Sequence, residues 1–290
     1  MAGTKTIAGL IVVLLACGCS SGPRRIVVGS KNFTEQLVLG EILAQQLERR
    51  LGQKVDRKLN LGGTLLAHQA LVTGEIDLYP EYTGTALTAI LKLPPAADAG
   101  HVLAEVREAY QKRWPIEWLA PFGFNNSFAI VVRGDEARRG ALQTISDAAR
   151  YRKDWVMGAG YEFAERPDGF RGLVKRYGLG IKGQIETMDL GLLYHALEQR
   201  KVEMIAPSAT DGMLSVLDVK VLQDNWHYFP PYEAAPVVRL DTLASHPGMR
   251  QTLAELAGRL TDQTMRKLNY ELDGKHRPLA EVAREFLEGK

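Results

Sequence analysis

The chain has 290 residues, of which 46% are hydrophobic and 24% are charged, and its 36 basic and 34 acidic side chains give a net charge of +2. This balance excludes the marked basic excess that is typical of nucleic-acid-binding proteins. Cys17 and Cys19 are the only cysteines, so the chain that follows them can form neither an internal disulfide nor a cysteine-based zinc site.

The first segment, residues 1–17, has the features of a lipoprotein signal peptide. Lys5 precedes an apolar run of about ten residues, which is too short to span a bilayer. The run ends in Leu14-Leu15-Ala16-Cys17, a pattern similar to a bacterial lipobox, in which the cysteine is lipidated. We therefore expect Cys17, or alternatively Cys19, to anchor the protein outside the cytoplasmic membrane, with residues 18–25 as a tether.

Short apolar runs then alternate with helical stretches, which is typical of an α/β architecture. The first helix is predicted to begin at Asn32, because Asn32 and Glu35 fit a capping box, and to end at Gly52. Leucines at i+4 spacing support it. The predicted strands are residues 25–29, 55–59, 76–79, 128–132, 155–158, 184–187, 202–206 and 234–239.

The order of these elements predicts two α/β lobes between which the chain crosses twice. The first lobe would hold residues 26–127 and 235–290, and the second would hold residues 128–234, with hinge strands at its ends. Ligands of open α/β sheets bind beyond the carboxyl ends of the strands. Five residues are therefore expected on loops near the cleft between the lobes: Ser30, Asn32, Gly63, Tyr82 and Asn126.

Motifs of catalysis or cofactor binding do not occur in the sequence. There is no nucleophile elbow, P-loop, zinc-protease motif or dinucleotide fingerprint, and the 6 histidines are scattered. We therefore expect neither an enzyme nor a metal or cofactor site. Glu162, Arg166 and Asp168 form a charged cluster that fits either a structural salt bridge or a role in the cleft.

Aromatic residues within polar, turn-rich segments are more informative. Several rings that converge on one cleft can hold a quaternary ammonium group, because each ring face attracts a cation and contributes about 0.5–2 kcal/mol. Alternatively, tyrosines on loops pack with their hydroxyls in water. The rings concerned are Tyr79, Tyr82, Phe128, Tyr161, Tyr194 and Tyr232.

Six segments, in order along the chain, resemble the osmoprotectant family of ABC-transporter solute-binding proteins, which bind glycine betaine, choline and carnitine. The segments are Val28-Gly-Ser-Lys-Asn-Phe-Thr-Glu-Gln36, Leu61-Gly-Gly-Thr64, Gly74-Glu-Ile-Asp-Leu-Tyr-Pro-Glu-Tyr-Thr-Gly-Thr85, Gly123-Phe-Asn-Asn126, Thr210-Asp-Gly212 and Phe229-Pro-Pro-Tyr-Glu-Ala-Ala-Pro-Val-Val238. The resemblance implies the type II periplasmic-binding fold, a Venus-flytrap mechanism, and partnership with an ABC permease and its ATPase. No oligomer seam is apparent, so a monomer is expected.

The resemblance also implies roles for individual residues. Tyr82, Tyr194 and Tyr232 match cage tyrosines, Thr85 a hydroxyl ligand, and Asn126 a contact for the anionic or hydroxyl end of the ligand. Phe128 lies where members of the family often carry tyrosine, and Leu65 lies where some members have aspartate or another polar residue. Both changes make the pocket more apolar.

Other functions also fit the sequence. The same receptor could take another betaine, such as ergothioneine, or an amino acid. An enzyme built on the two-lobe fold would use Glu162 or Asp211 as a general base, and a sensor would present its closed form to a membrane receptor without transport.

Overall fold

The computed structural model describes residues 24–289, so the predicted signal peptide, Cys17 and Cys19 lie outside the described residues. The first lobe is built on a five-stranded sheet in the order β2-β1-β3-β10-β4. Its first three strands along the chain are parallel, whereas β10 is antiparallel to both of its neighbours. The strands are β1 (Val27–Gly29), β2 (Asp56–Lys58), β3 (Leu78–Tyr82), β4 (Ile116–Trp118) and β10 (Ala234–Arg239).

Helices cover both faces of this sheet. They are α1 (Thr34–Leu51), α2 (Thr64–Thr73), α3 (Thr83–Thr85) with the π-helical turn Ala86–Ile90, α4 (Ala99–Arg113), α10 (Leu240–Ser245), α11 (Met249–Ala254), α12 (Asp262–Asp273) and α13 (Leu279–Glu288). Successive strand residues point to opposite faces. Val28 and Leu78 therefore join one apolar layer, and Val27 and Tyr79 the other.

The second lobe is built on a five-stranded sheet in the order β7-β6-β8-β5-β9. Its strands are β5 (Ile130–Arg133), β6 (Met157–Ala159), β7 (Glu186–Thr187), β8 (Met204–Ala206) and β9 (Val219–Leu222). Its helices are α5 (Gly134–Gly140), α6 (Ile145–Tyr151), α7 (Tyr161–Glu165), α8 (Phe170–Tyr177) and α9 (Leu193–Glu198), with 3₁₀ turns at Leu190–Leu192 and Gly212–Ser215.

Two segments of the chain connect the lobes side by side. Asn125 pairs with Glu233 in an antiparallel bridge, and the Asn126 amide N–H donates to the Tyr232 carbonyl over 3.1 Å. After Asn126 the chain enters the second lobe at β5, and after Glu233 it returns to the first lobe at β10. The two-lobe α/β fold with two crossings is thus confirmed.

Helix α1 shows both the strength and the limit of the sequence pattern. Leu39, Leu43 and Leu47 are fully buried at i+4 spacing, and each buried leucine stabilises the fold by about 1.5–3 kcal/mol. Gly52 ends the helix in the left-handed conformation, at φ 65°, which glycine adopts without steric cost. The predicted capping box is wrong, because the helix is preceded by Phe33 and has no side-chain cap.

Two strands, β4 and β9, were not predicted from the sequence. Both lie at the edge of a sheet and pair on one side only. β4 has 3 residues and β9 has 4, so neither gives a run long enough for its alternation to stand out. Within residues 24–289, no helix combines the length and apolar character that a membrane span requires.

Candidate functional site

A cavity of about 450 Å³ lies between the two lobes, and we call it the main cavity. Both lobes and both crossing segments contribute to its wall. Five of the six residues predicted to bind ligand line it together: Tyr82, Thr85, Asn126, Phe128 and Tyr232. They come from the end of β3, from α3 and from the two crossings, so only the folded chain brings them together.

The rings of the main cavity form two packed groups, which together we call the aromatic wall. The Phe128 ring packs edge to face on Phe163, at 4.8 Å between centroids, and on Tyr232, at 5.9 Å. The Tyr82 ring stacks on Phe33 at 6.3 Å. Aromatic pairs at such distances and angles are favourable, so the rings are held in place before any ligand arrives.

Two cationic side chains of the protein lie over these rings. The Lys31 ammonium is 5.1 Å from the centroid of Tyr82, and the Arg166 guanidinium is 5.3 Å from that of Phe128 and 5.5 Å from that of Tyr232. Each is paired with a buried carboxylate: Lys31 with Glu81 at 2.6 Å, and Arg166 with Asp168 at 2.6 Å. The positive charges of Lys31 and Arg166 are therefore balanced by carboxylates, while both side chains lie over the rings of the cavity.

The Arg166–Asp168 ion pair anchors the wall. Burial raises the pKa of Asp168, but the hydrogen bonds and charge of Arg166 outweigh this effect and hold the pKa below its ordinary value. Arg166 also donates to the Thr85 hydroxyl over 2.8 Å. The Thr85 oxygen is thus engaged with Arg166, and Thr85 positions the guanidinium against the rings.

Glu35 is a site residue that the sequence analysis missed, because its position fits a helix cap. Its carboxylate accepts hydrogen bonds from the Tyr82 hydroxyl at 2.7 Å and the Asn126 amide at 2.7 Å. It also accepts from Asn269 at 3.2 Å and from the Thr210 hydroxyl of the second lobe. Burial raises the pKa of Glu35 more than these donors lower it. Glu35 therefore ties two predicted site residues to the other lobe.

Tyr194 does not line the main cavity. It lines a second pocket of about 320 Å³, which we call the acidic pocket because four carboxylates border it. The two pockets adjoin, since both are lined by Phe33, Thr34, Leu190, Gly191 and Ser208. The carboxylates are Glu35, Glu198, Asp211 and Asp273.

Glu162 connects the lobes at the mouth of the main cavity. Its two carboxylate oxygens accept from the Thr64 backbone N–H at 2.7 Å and from the Thr64 hydroxyl at 3.1 Å. It thus caps the N-terminus of α2, where a negative charge is favourable. A Cβ at Gly63 would lie 2.9 Å from this carboxylate, so glycine permits the approach. Leu65 is 62% exposed on a groove beside the main cavity and does not line it.

Within residues 24–289, no group of three or more His, Cys, Asp or Glu side chains is placed to hold a metal ion.

Asp211 gives a prediction about stability. Burial raises its pKa to about 6 from the ordinary 3.8, and the charges of Asp273 and Glu35 add to the rise. The charged form is therefore unfavourable in the folded protein, by on the order of 3 kcal/mol. We expect Asp211→Asn to recover much of this above pH 6, since Asn can still accept from the Met213 N–H, now at 3.0 Å.

The sign of this effect follows from proton linkage. Because the folded pKa is raised, wild-type stability falls as the pH rises from 3.8 to about 6, whereas Asp211→Asn lacks that contribution. Urea unfolding of both proteins across this range measures the difference. Equal stability at neutral pH would contradict the prediction.

Comparison with known proteins shows the family of this chain. The model of the OpuAC family, the substrate-binding domain of ABC-type glycine betaine transport systems, matches residues 24–289. The chain is 33% identical over 265 residues to the carnitine transport binding protein OpuCC of Listeria monocytogenes, covering 91% of this chain and 86% of that protein. The crystal structure of a glycine betaine/carnitine/choline ABC transporter aligns with a TM-score of 0.77 at 32% identity, covering 91% of this chain and 98% of that one.

A further relative is named for a different ligand. The chain is 33% identical over 289 residues to the ergothioneine transport permease/ergothioneine binding protein EgtU of Helicobacter pylori (strain G27). The match covers 97% of this chain but 52% of that protein, so the chain spans about half of its length. On the family match and these identities, the chain belongs to the OpuAC family of substrate-binding domains of ABC-type glycine betaine transport systems.

Proposed function

We propose that this chain is the extracytoplasmic receptor of an ABC importer for quaternary-ammonium compatible solutes of the glycine betaine, choline or carnitine kind. The observation that carries the proposal is the aromatic wall of the main cavity, in which Tyr82, Phe128 and Tyr232 lie together. A trimethylammonium group has no N–H to donate, so it gains from ring faces rather than from hydrogen-bonded carboxylates. The family membership supports the same ligand class.

Capture would follow the Venus-flytrap scheme. Lobes formed by residues 26–127 with 235–290, and by residues 128–234, would rotate about the paired crossings to enclose the ligand. Closure is favoured only by contacts that differ between the open and closed forms. Tyr82 belongs to the first lobe and Phe163 to the second, so a ligand between them contacts both.

The second candidate is the same receptor with another betaine, such as ergothioneine, as its ligand. Phe128 keeps a ring face but has no hydroxyl, which makes the wall more apolar than a tyrosine would. The Helicobacter relative, which is named for ergothioneine, supports this candidate.

A binding function is favoured over an enzymatic one by the state of the two candidate general bases. Both oxygens of Glu162 are engaged by Thr64, and its pKa lies below the ordinary value because Lys31, Thr64 and Arg166 outweigh the effect of burial. Asp211 caps the 3₁₀ turn Gly212–Ser215, where its carboxylate accepts from the Met213 N–H at 3.0 Å.

The proposal includes the partners and location of the receptor. A monomer anchored through a lipid on Cys17 would deliver its ligand to an ABC permease and ATPase. The lipobox-like sequence that ends at Cys17 supports the anchor, and the relatives' names support the transporter.

A thermal-shift screen tests the ligand class. The purified protein would be screened with glycine betaine, choline, carnitine, ergothioneine and proline. A ligand at about a hundred times its Kd stabilises the folded state by about 2.7 kcal/mol, which for a protein of this size raises the Tm by about 5–10 °C. We expect at least one quaternary ammonium to do so and proline not to. A shift with proline alone would contradict the proposal.

A further inference from the structure

Glu162 makes a contact between the lobes that needs no ligand atom. It lies on α7 of the second lobe, and its two carboxylate oxygens bind Thr64, the first residue of α2 in the first lobe. The first N–H groups of a helix have no partner within that helix, and Gly63, which precedes α2, has no side chain to cap it. A carboxylate of the other lobe therefore supplies the missing acceptor, at 2.7 Å from the Thr64 nitrogen.

Lys31 orients the hydroxyl that completes this contact. An ammonium group can only donate, so the Thr64 hydroxyl oxygen accepts from Lys31 over their 3.0 Å separation. The hydroxyl hydrogen then points elsewhere, and Glu162 accepts it at 3.1 Å. Lys31 is itself 2% exposed and paired with Glu81 at 2.6 Å. The contact is thus built on a buried, ion-paired group of the first lobe and not on a free surface side chain.

Another polar contact between the lobes lies nearer to the crossings. Asp168 accepts from Thr88 of the first lobe at 2.8 Å, but it also accepts from the Tyr232 hydroxyl on a crossing segment. Within residues 24–289, the carboxylate of Glu162 makes no hydrogen bond to either crossing, and 43% of its side chain is exposed at the mouth. Rotation about the crossings separates groups at the mouth more than groups beside the axis. Opening of the cleft therefore breaks the bonds between Glu162 and Thr64.

We propose that the contact between Glu162 and Thr64, which we call the latch, holds the two lobes together and lengthens the time for which a ligand stays bound. This inference rests on the proposed function. Because the latch joins protein atoms only, it stabilises the closed form by the same amount whichever ligand lies in the main cavity. A larger closed fraction tightens the apparent Kd of every ligand by one common factor. Glu162 is then a positioning residue, whereas the aromatic wall selects the ligand.

A direct contact of Glu162 with the ligand would have a different signature. Glu162 also lines the main cavity, and a carboxylate near a quaternary ammonium group would favour a charged ligand over an uncharged one. Both of its oxygens are already engaged by Thr64. The latch therefore predicts a common loss of affinity when Glu162 is removed, and the direct contact predicts a loss that is larger for the charged ligand.

Stopped-flow and equilibrium binding measurements test the latch. The probes are the best ligand of the thermal-shift screen and its uncharged isostere, in which carbon replaces the quaternary nitrogen. We expect Glu162→Ala to weaken the binding of both about tenfold, mainly through faster release. The ratio of the two affinities should stay within about twofold of wild type. Glu165→Ala removes an exposed carboxylate from the same helix that does not line the main cavity, and it should leave both affinities unchanged.

The first lobe offers a second variant of the same contact. Thr64→Val keeps the shape and the backbone N–H but removes the hydroxyl, and Thr64 does not line the main cavity. We expect a smaller loss, about threefold, which is again equal for both ligands. The double variant should bind no more weakly than Glu162→Ala alone, because both changes break one contact. Losses that multiply would show that the two residues act separately and would overturn the latch.

The outcomes distinguish the latch from the proposed function. If Glu162→Ala binds and releases both ligands as wild type does, the latch is wrong and the proposed function stands. If Glu162→Ala lowers the preference for the charged ligand, Glu162 is a ligand contact and the latch is overturned. If the wild-type protein binds no ligand of the screen, the proposed function fails and the latch fails with it.

Discussion

Replacing Arg166 with methionine is expected to destabilise the protein by about 3–5 kcal/mol, because Asp168 would then remain buried without its counter-charge. Arg166 is 8% exposed and Asp168 1%. The two side chains share hydrogen bonds of 2.9 and 2.6 Å. Methionine fills a similar volume, so the loss comes mainly from the unpaired carboxylate. Urea unfolding measures the change in the free energy of unfolding.

Arg171→Met is the matched control for this prediction. Arg171 lies on α8 and is exposed, and a surface substitution usually changes stability by less than about 0.5 kcal/mol. A loss below about 1 kcal/mol in Arg166→Met would contradict the account of a buried, paired Asp168.

The same pair predicts a dependence on pH. The folded pKa of Asp168 lies below the ordinary value of 3.8, so the pair stabilises the protein above that pH and the contribution is lost as the pH falls through the folded value. The difference between wild type and Arg166→Met should therefore be largest near neutral pH and shrink in acid. A difference that grows in acid would assign the effect to another group.

Removing one ring of the aromatic wall is expected to weaken binding of a quaternary ammonium ligand about tenfold, or about 1.4 kcal/mol. Phe128→Leu is the best single change, because leucine keeps apolar volume but has no π face. Tyr82 is less suitable, since it is 3% exposed and its hydroxyl donates to Glu35, so replacing it would also disturb the core. Calorimetry with the best ligand of the screen gives the affinity.

Two comparisons make this prediction specific. The ligand should be compared with its uncharged isostere, in which carbon replaces nitrogen, because cation–π attraction acts only on the charged form. Phe128→Leu should reduce the preference for the charged ligand. Tyr151→Leu, on the outer surface of the second lobe and 42% exposed, should not. If Phe128→Leu weakened the binding of both ligands equally, the ring would contribute through packing and not through cation–π attraction.

The sequence by itself determined the secondary structure that depends on local pattern and the family to which the chain belongs. The leucines of α1 and the glycine that ends it are set by helical spacing and by backbone sterics, both of which act within a few residues. Motifs such as Asp77-Leu-Tyr-Pro-Glu-Tyr-Thr-Gly-Thr85 predicted the family, and with it the segments from which five cavity residues come. The edge strands β4 and β9 were missed because they have only 3 and 4 residues.

Only the tertiary structure decided which groups meet in the cleft. Glu35 fits a helix cap in the sequence, yet its carboxylate bonds to Thr210, 175 positions away, and to Asn269, 234 positions away. Tyr194 has the residue type of a cage but lies in the acidic pocket, and Arg166 covers the rings of Phe128 and Tyr232. Contacts of this range depend on how two lobes pack, and local spacing carries no information about that.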